Sequence, residues 1–266
     1  MDGTEWKIGS FELHVLVLAA QIKGVAIPVY FKVYQHKGVL SENERIKFIR
    51  KAFVIIDLEN KLLIADREFI GKEWFGNLVH FGLNFVIRLR KNMYSSQIAN
   101  YYKLEKKALK KGYSHAIFTI DEQKYRIEMW RSDNKDEPII YLITNILTKK
   151  RVGKHYAKRW KIEYCFKHLK TNGFNLEDMS LTDLKKIRSM ISLVVVAYIL
   201  AVREGIIQEK KHKVRVIKYK NGDKLPAVSI FRNGLQSISN QIVSWLDFDK
   251  YLRFINQKKY SIIQMV

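Results

Sequence analysis

The chain has 266 residues, 47% of them hydrophobic and 28% charged, which is enough to bury a core and too apolar for a disordered polypeptide. Lys and Arg outnumber Asp and Glu by 48 to 26, a formal net charge of +22, so the expected partner is a polyanion, nucleic acid first and an anionic membrane surface second. The single cysteine, Cys165, excludes an internal disulfide and a cysteine-built zinc site, and the longest apolar run, the twelve residues from Ile191 to Val202, is too short to span a bilayer.

The chain opens at Met1-Asp2-Gly3 with no signal peptide, and a cytoplasmic protein associated with the nucleoid is expected. Asp2 lies beside a first strand. Phe11 to Tyr34 is rich in Val, Leu, Ile, Phe and Tyr and is broken at Lys23-Gly24, which predicts a hairpin of two mostly buried strands. Ser41 caps a helix running to about Asp57, with Glu44 three residues on completing a capping box. Leu62 to Ala65 reads as a short buried strand ending at Asp66, Gly71 to His80 as a helix, and Phe85 to Ile87 as another strand. Strands and helices that alternate after a meander predict an α/β fold, a mixed sheet flanked by helices.

From about Asn92 to Thr148 the texture changes. A lysine-rich stretch, Lys103 to Lys111, precedes β-like segments at Ala116 to Ile120, Tyr125 to Trp130 and Ile139 to Ile143. A long helix is expected from Lys149 to Asn172, stopped by Gly173, and a second from Leu181 to Arg203. The layout is therefore a core over 1–91 and 149–208, a β-rich insertion over 92–148 and a basic region over 209–266, where Lys210, Lys211, Lys213, Arg215, Lys218 and Lys220 cluster.

The most informative spacing is Tyr156, Arg159, Glu163 and Lys170. At roughly 100° per residue, these positions fall within about 60° of one helix face, which sets one carboxylate among two cations and a phenol. Asp66, at the exit of a buried strand, and Asp2, beside the first strand, have a similar setting. Three such acids could hold two Mg²⁺ ions about 4 Å apart beside a phosphodiester. Each residue also has an ordinary reading. Asp66 caps a turn, Asp2 frays with the terminus, and Glu163 pairs with Arg159 one helical turn back.

The stripe resembles the YREK signature of bacterial insertion-sequence DDE transposases, the group usually numbered four. Tyr156-Ala157-Lys158-Arg159-Trp160-Lys161-Ile162-Glu163 is similar to that family's form, including the tryptophan after the arginine. Ala65-Asp66-Arg67-Glu68-Phe69-Ile70-Gly71 resembles the segment around its second catalytic aspartate. Asp2-Gly3-Thr4-Glu5-Trp6 resembles the first, usually Asp-Arg-Thr-Asn-Trp, and departs from it at Gly3 and Glu5. The resemblance covers about residues 1 to 205. It implies a ribonuclease-H-like core with a β-rich insertion. Asp2, Asp66 and Glu163 become the catalytic, metal-binding triad for two Mg²⁺ ions, with Mn²⁺ as a substitute. Tyr156, Arg159 and Lys170 become contacts to phosphates of the transposon end. The implied partners are double-stranded DNA, both transposon ends and target, and a second copy of the chain when bound to DNA, with no membrane.

Trp130 has two readings. Strand alternation sets it with Arg126 and Glu128 on a charged face, where related enzymes use an insertion tryptophan to stack on a flipped base; alternatively it packs against the core. Trp160 carries the same ambiguity, with core packing favoured. Family members have a DNA-binding region before the first aspartate, whereas this chain starts one residue before Asp2. The expectation is an N-terminally truncated catalytic region that cuts and joins transposon-end DNA, and the alternative is a catalytically inactive DNA-binding remnant. A ribonuclease-H-like nuclease of other substrates fits the stripe less well, and a basic membrane-surface protein leaves the acids unexplained.

Overall fold

The computed structural model describes residues 1–148, 150–212, 214–218, 222 and 224–243. The described chain forms two compact units. The first contains Met1–Glu5, Leu13–Leu18 and Tyr30–Glu163; the second contains Trp6–Glu12, Ala19–Val29 and the described residues from Tyr164 onward.

Strands β1 (Asp2–Ile8), β2 (Phe11–Ile22) and β3 (Val25–Tyr34) form a three-stranded sheet in that order. Lys23 and Gly24 make the two-residue turn, both at positive φ (47° and 79°), which is the backbone that a tight hairpin connection requires. Helix α1 (Glu42–Ile55) starts at the expected capping box: Ser41 Oγ accepts the Glu44 N–H at 3.3 Å while Glu44 Oε2 accepts the Ser41 N–H at 2.9 Å. Next come β4 (Leu62–Ala65), α2 (Lys72–His80) and β5 (Asn84–Arg88). β4 and β5 are parallel, with Ile64 opposite Val86, and α2 supplies the crossover that parallel pairing requires. Met1 N donates to Ile64 O at 2.7 Å and so ties the start of β1 to β4.

The lysine-rich stretch is helical: α3 (Tyr101–Lys111) ends at Gly112, whose φ of 79° supplies the left-handed stop. Lys, Leu, Ala and Glu are all good helix formers, and here they override the β texture of their neighbours. β6 (Tyr113–Ile120), β7 (Gln123–Arg131) and β8 (Ile139–Thr144) then continue the core sheet. β8 runs antiparallel to β5 with Ile143 opposite Ile87, giving five strands in the order β4-β5-β8-β7-β6. The fold is of the expected α/β class, a mixed sheet flanked by helices. Its first unit packs Trp74, Phe75, Phe85 and Tyr125 in the core, with the Phe75 and Phe85 rings stacked at 5.4 Å.

The single long helix expected from residue 149 is divided, and residue 149 itself lies outside the described residues. α4 (Gly153–Tyr156) leads into a 3₁₀ turn (Ala157–Arg159) and then α5 (Trp160–Lys170). Its start is set by Glu128, whose carboxylate accepts the N–H groups of Val152 at 3.1 Å and Gly153 at 2.9 Å, donors that a helix terminus leaves unmet.

In the second unit α6 (Leu184–Lys211) begins three residues later than read, because Asp183 Oδ1 accepts the N–H groups of Lys185 and Lys186 at 2.7 and 3.1 Å. By length and composition alone, its 28 residues could cross a bilayer, further than the twelve-residue run suggested. One face instead packs on α7 (Ile230–Val243) so closely that a Cβ on Gly234 would sit 1.8 Å from Ala201 O. Tyr198 and Phe231 stack there at 5.1 Å. Of the basic tail, β9 (Val216–Lys218) and β10 (Lys224–Pro226) form an antiparallel pair, while Lys213, Lys220 and residues 244–266 lie outside the described residues.

Candidate active site

Three acids from three elements of the first unit meet at one guanidinium. Asp2 is the first residue of β1, Asp66 follows the last residue of β4, and Glu163 lies in the first turn of α5. Arg159, from the 3₁₀ turn, places Nη1 at 3.2 Å from Asp2 Oδ2 and 3.8 Å from Asp66 Oδ2, and Nη2 at 2.6 Å from Glu163 Oε1. Its side chain is only 8% exposed. Asp2 Oδ1 also accepts the Gly3 N–H at 3.0 Å, and Asp66 Oδ1 accepts the Arg67 N–H at 2.8 Å and the Tyr156 hydroxyl at 3.1 Å.

The electrostatics follow from this crowding. Burial pushes the Asp2 carboxyl up to about 6, and the Asp66 charge adds to that, against the pull of the chain's amino group and Arg159. Burial works against the Arg159 charge, but Asp66, Tyr156, Asp2 and Glu163 more than offset it and hold the guanidinium above its ordinary value. Burial and the Asp66 charge together push the Tyr156 hydroxyl well above its ordinary value, so it serves as a hydrogen-bond donor.

Two further polar groups border the cluster. Glu68 is pushed up to about 7 by burial and then by the charges of Asp2 and Asp66, and its Oε1 is buried without a hydrogen-bond partner. His14 on β2 is buried, and neither ring nitrogen has a partner. Both face Gly3, where a Cβ would lie 2.6 Å from His14 Nε2 and 3.2 Å from Glu68 Oε1. Sequence reasoning passed over both. The available signals were an acid two residues past Asp66 and a lone histidine inside the apolar run of β2.

The other anticipated DNA contacts are placed differently. Tyr156 and Arg159 turn inward to the acids. Trp130 donates its indole N–H to Glu128 Oε2 at 2.9 Å, meets Tyr113 edge-on at 4.8 Å, and packs against Val86, Leu142 and Val152. That is the packing reading; the base-stacking role expected for Trp130 finds no support in this arrangement. The charged face assumed for it is buried, because Arg126 and Glu128 pair at 2.7 Å with side chains only 2% and 0% exposed. Trp160 is 57% exposed beside the Arg159 guanidinium, so the core packing favoured for it is not observed. Lys170 belongs to the second unit, where it pairs with Glu177 at 3.3 Å.

A family comparison decides what class of protein this is: residues 32–200 match the family described as Transposase DDE domain. The chain belongs to that family. The match takes in Asp66 and Glu163 of the transposase domain and begins after Asp2, which is joined to them by the Arg159 contacts. No curated protein matches. Among solved structures, the transposase domain is similar to the chain in a cryo-EM structure titled piggyBac transposase synaptic complex with hairpin DNA. The TM-score is 0.43 at 12% identity, over 96% of this chain and 53% of that one, so this chain spans about half of its length.

The acids of the transposase domain suit a divalent metal in kind. They are hard oxygen donors with more negative charge than one guanidinium neutralises. No three His, Cys, Asp or Glu side chains among the described residues are already closed around an ion-sized space. In the acid cluster Arg159 is the bridging cation.

Proposed function

We propose that this chain is the catalytic region of a DDE transposase of the insertion-sequence group with the YREK signature, cutting and joining transposon-end DNA by metal-dependent phosphoryl transfer. The observation that carries this reading is the sharing of one guanidinium by Asp2, Asp66 and Glu163, residues far apart in sequence. Two Mg²⁺ ions, or Mn²⁺ in their place, would be held by these three carboxylates and would activate the attacking oxygen and stabilise the leaving one. Tyr156 orients Asp66 through its hydroxyl, and Arg159 can fork onto a phosphate. The net charge of +22 gives duplex DNA a salt-sensitive attraction to the whole chain. Action on paired ends by a homodimer, within the bacterial cytoplasm at the nucleoid, belongs to the same proposal.

One observation favours a second reading, a DNA-binding remnant without catalysis: the acids are already engaged by Arg159. The test is cleavage of a labelled duplex carrying the end of the element that encodes the chain, in Mg²⁺ or Mn²⁺. Nicking by the unaltered chain that falls by on the order of 10³-fold or more in Glu163→Gln, with folding and DNA affinity retained, supports the enzyme. Cleavage that survives the substitution overturns the assignment of Glu163. Retained affinity without cleavage by either protein gives the remnant.

A further inference from the structure

The Arg159 guanidinium has no conventional excess of partners. Nη1 and Nη2 serve three carboxylates, while its Nε is buried without any acceptor. A guanidinium satisfied on its whole edge would donate from Nε and Nη to a pair of oxygens, the geometry a phosphate offers. A cation chelated through the oxygens that Arg159 holds, Asp2 Oδ2, Asp66 Oδ2 and Glu163 Oε1, would have to displace the guanidinium. Arg159 also ends the 3₁₀ turn between two α-helical segments, the kind of break that often marks a hinge.

We infer that Arg159 keeps the acid cluster closed to divalent cations until a DNA phosphate takes over its guanidinium, which couples metal loading to DNA binding. This rests on the transposase reading above. In the free protein Arg159 is a positioning residue. It draws three mutually repelling carboxylates together and holds the centre they will later share. On DNA the same side chain leaves, and the acids it gathered regain their need for positive charge.

The experiment measures Mn²⁺ binding to the full chain by electron paramagnetic resonance, first without DNA and then with a short duplex whose own Mn²⁺ uptake is measured separately. Without DNA, Arg159→Ala binds Mn²⁺ about tenfold more tightly than the unaltered chain, the size of effect expected when a competing charge leaves a site at ion-pair distance. Thermal melting of this variant drops in chelator and recovers with Mn²⁺. Adding duplex tightens Mn²⁺ binding to the unaltered chain and leaves Arg159→Ala unchanged. Binding no tighter in folded Arg159→Ala, or an equal gain from duplex in both proteins, overturns the inference. If Arg159→Ala does not fold, Arg159→Lys replaces it. A point charge cannot bridge three carboxylates as a fork does, and folded Arg159→Lys with unaltered Mn²⁺ affinity overturns the inference equally. Glu163→Gln added to either variant separates the two levels. If it weakens Mn²⁺ binding, the acids hold the metal and only the role of Arg159 is at stake; if it does not, the function reading fails with it.

Discussion

Around Glu128 five donors serve one carboxylate; around Arg159 three carboxylates share one cation. Glu128 accepts from Arg126 at 2.7 Å, Tyr113 at 3.3 Å, Trp130 at 2.9 Å, and the Val152 and Gly153 N–H groups at 3.1 and 2.9 Å. It is buried, charged and satisfied, and its task is to fasten β7 to the start of α4. In the Arg159 cluster the guanidinium and Asp2 are buried while Asp66 and Glu163 are partly exposed, and three carboxylates share one guanidinium. Both look like ion pairs to a distance criterion. The ratio of donors to acceptors separates a structural staple from the cluster proposed as the metal site.

Breaking the first should therefore cost stability, and breaking the second should cost chemistry. The largest effect on folding is expected from Glu128→Ala, about 3–5 kcal/mol, because it leaves the Arg126 charge buried without its partner. Denaturant unfolding measures this, and a loss under about 1 kcal/mol would place Glu128 with the weak surface pairs. A smaller and pH-dependent effect is expected from Glu68→Gln. Glu68 is raised from 4.5 to about 7 in the folded protein, so the folded state binds its proton more tightly and stability falls as pH rises from 4.5 through about 7. Gln removes that burden. In chelator the variant should gain on the order of 1–3 kcal/mol over the unaltered chain at pH 8 and nothing at pH 4. Melting curves with the same difference at both pH values would show that the Glu68 carboxylate is not under that strain. The smallest effect is expected from Lys170→Ala. Its pair with Glu177 is about a quarter to a third exposed and should be worth under about 1 kcal/mol, measured by the same unfolding curves.

Much of the fold could be read from residues because local chemistry decides it. The Ser41–Glu44 capping box, the Lys23-Gly24 turn and the β4–α2–β5 alternation all appear where the sequence put them. The three acids could also be singled out, and the structure brings them to one guanidinium. What periodicity cannot say is what a helix face looks at. It set Tyr156, Arg159 and Glu163 on one stripe, and only the fold shows that stripe facing Asp2 and Asp66. The surroundings of Trp130 are hidden from the sequence for a related reason. Alternation along β7 marks Arg126 and Glu128 as the polar face, which normally means solvent, yet β7 lies between β6 and β8 and is buried on both sides from Tyr125 to Met129. Two opposite charges that satisfy one another there give no sign of it in sequence order. The start of α4 at Gly153 is hidden for the same reason, since it depends on a carboxylate 25 residues earlier in the chain.

The close approach of His14 to Gly3 has an evolutionary corollary. A methyl group there would sit 2.6 Å from a histidine ring that is itself enclosed, so position 3 cannot gain bulk alone. Positions 3 and 14 should drift together through descent, with bulk gained on one strand only where the facing strand gives it up, and a Gly3→Ala library should recover fitness chiefly through second changes at His14.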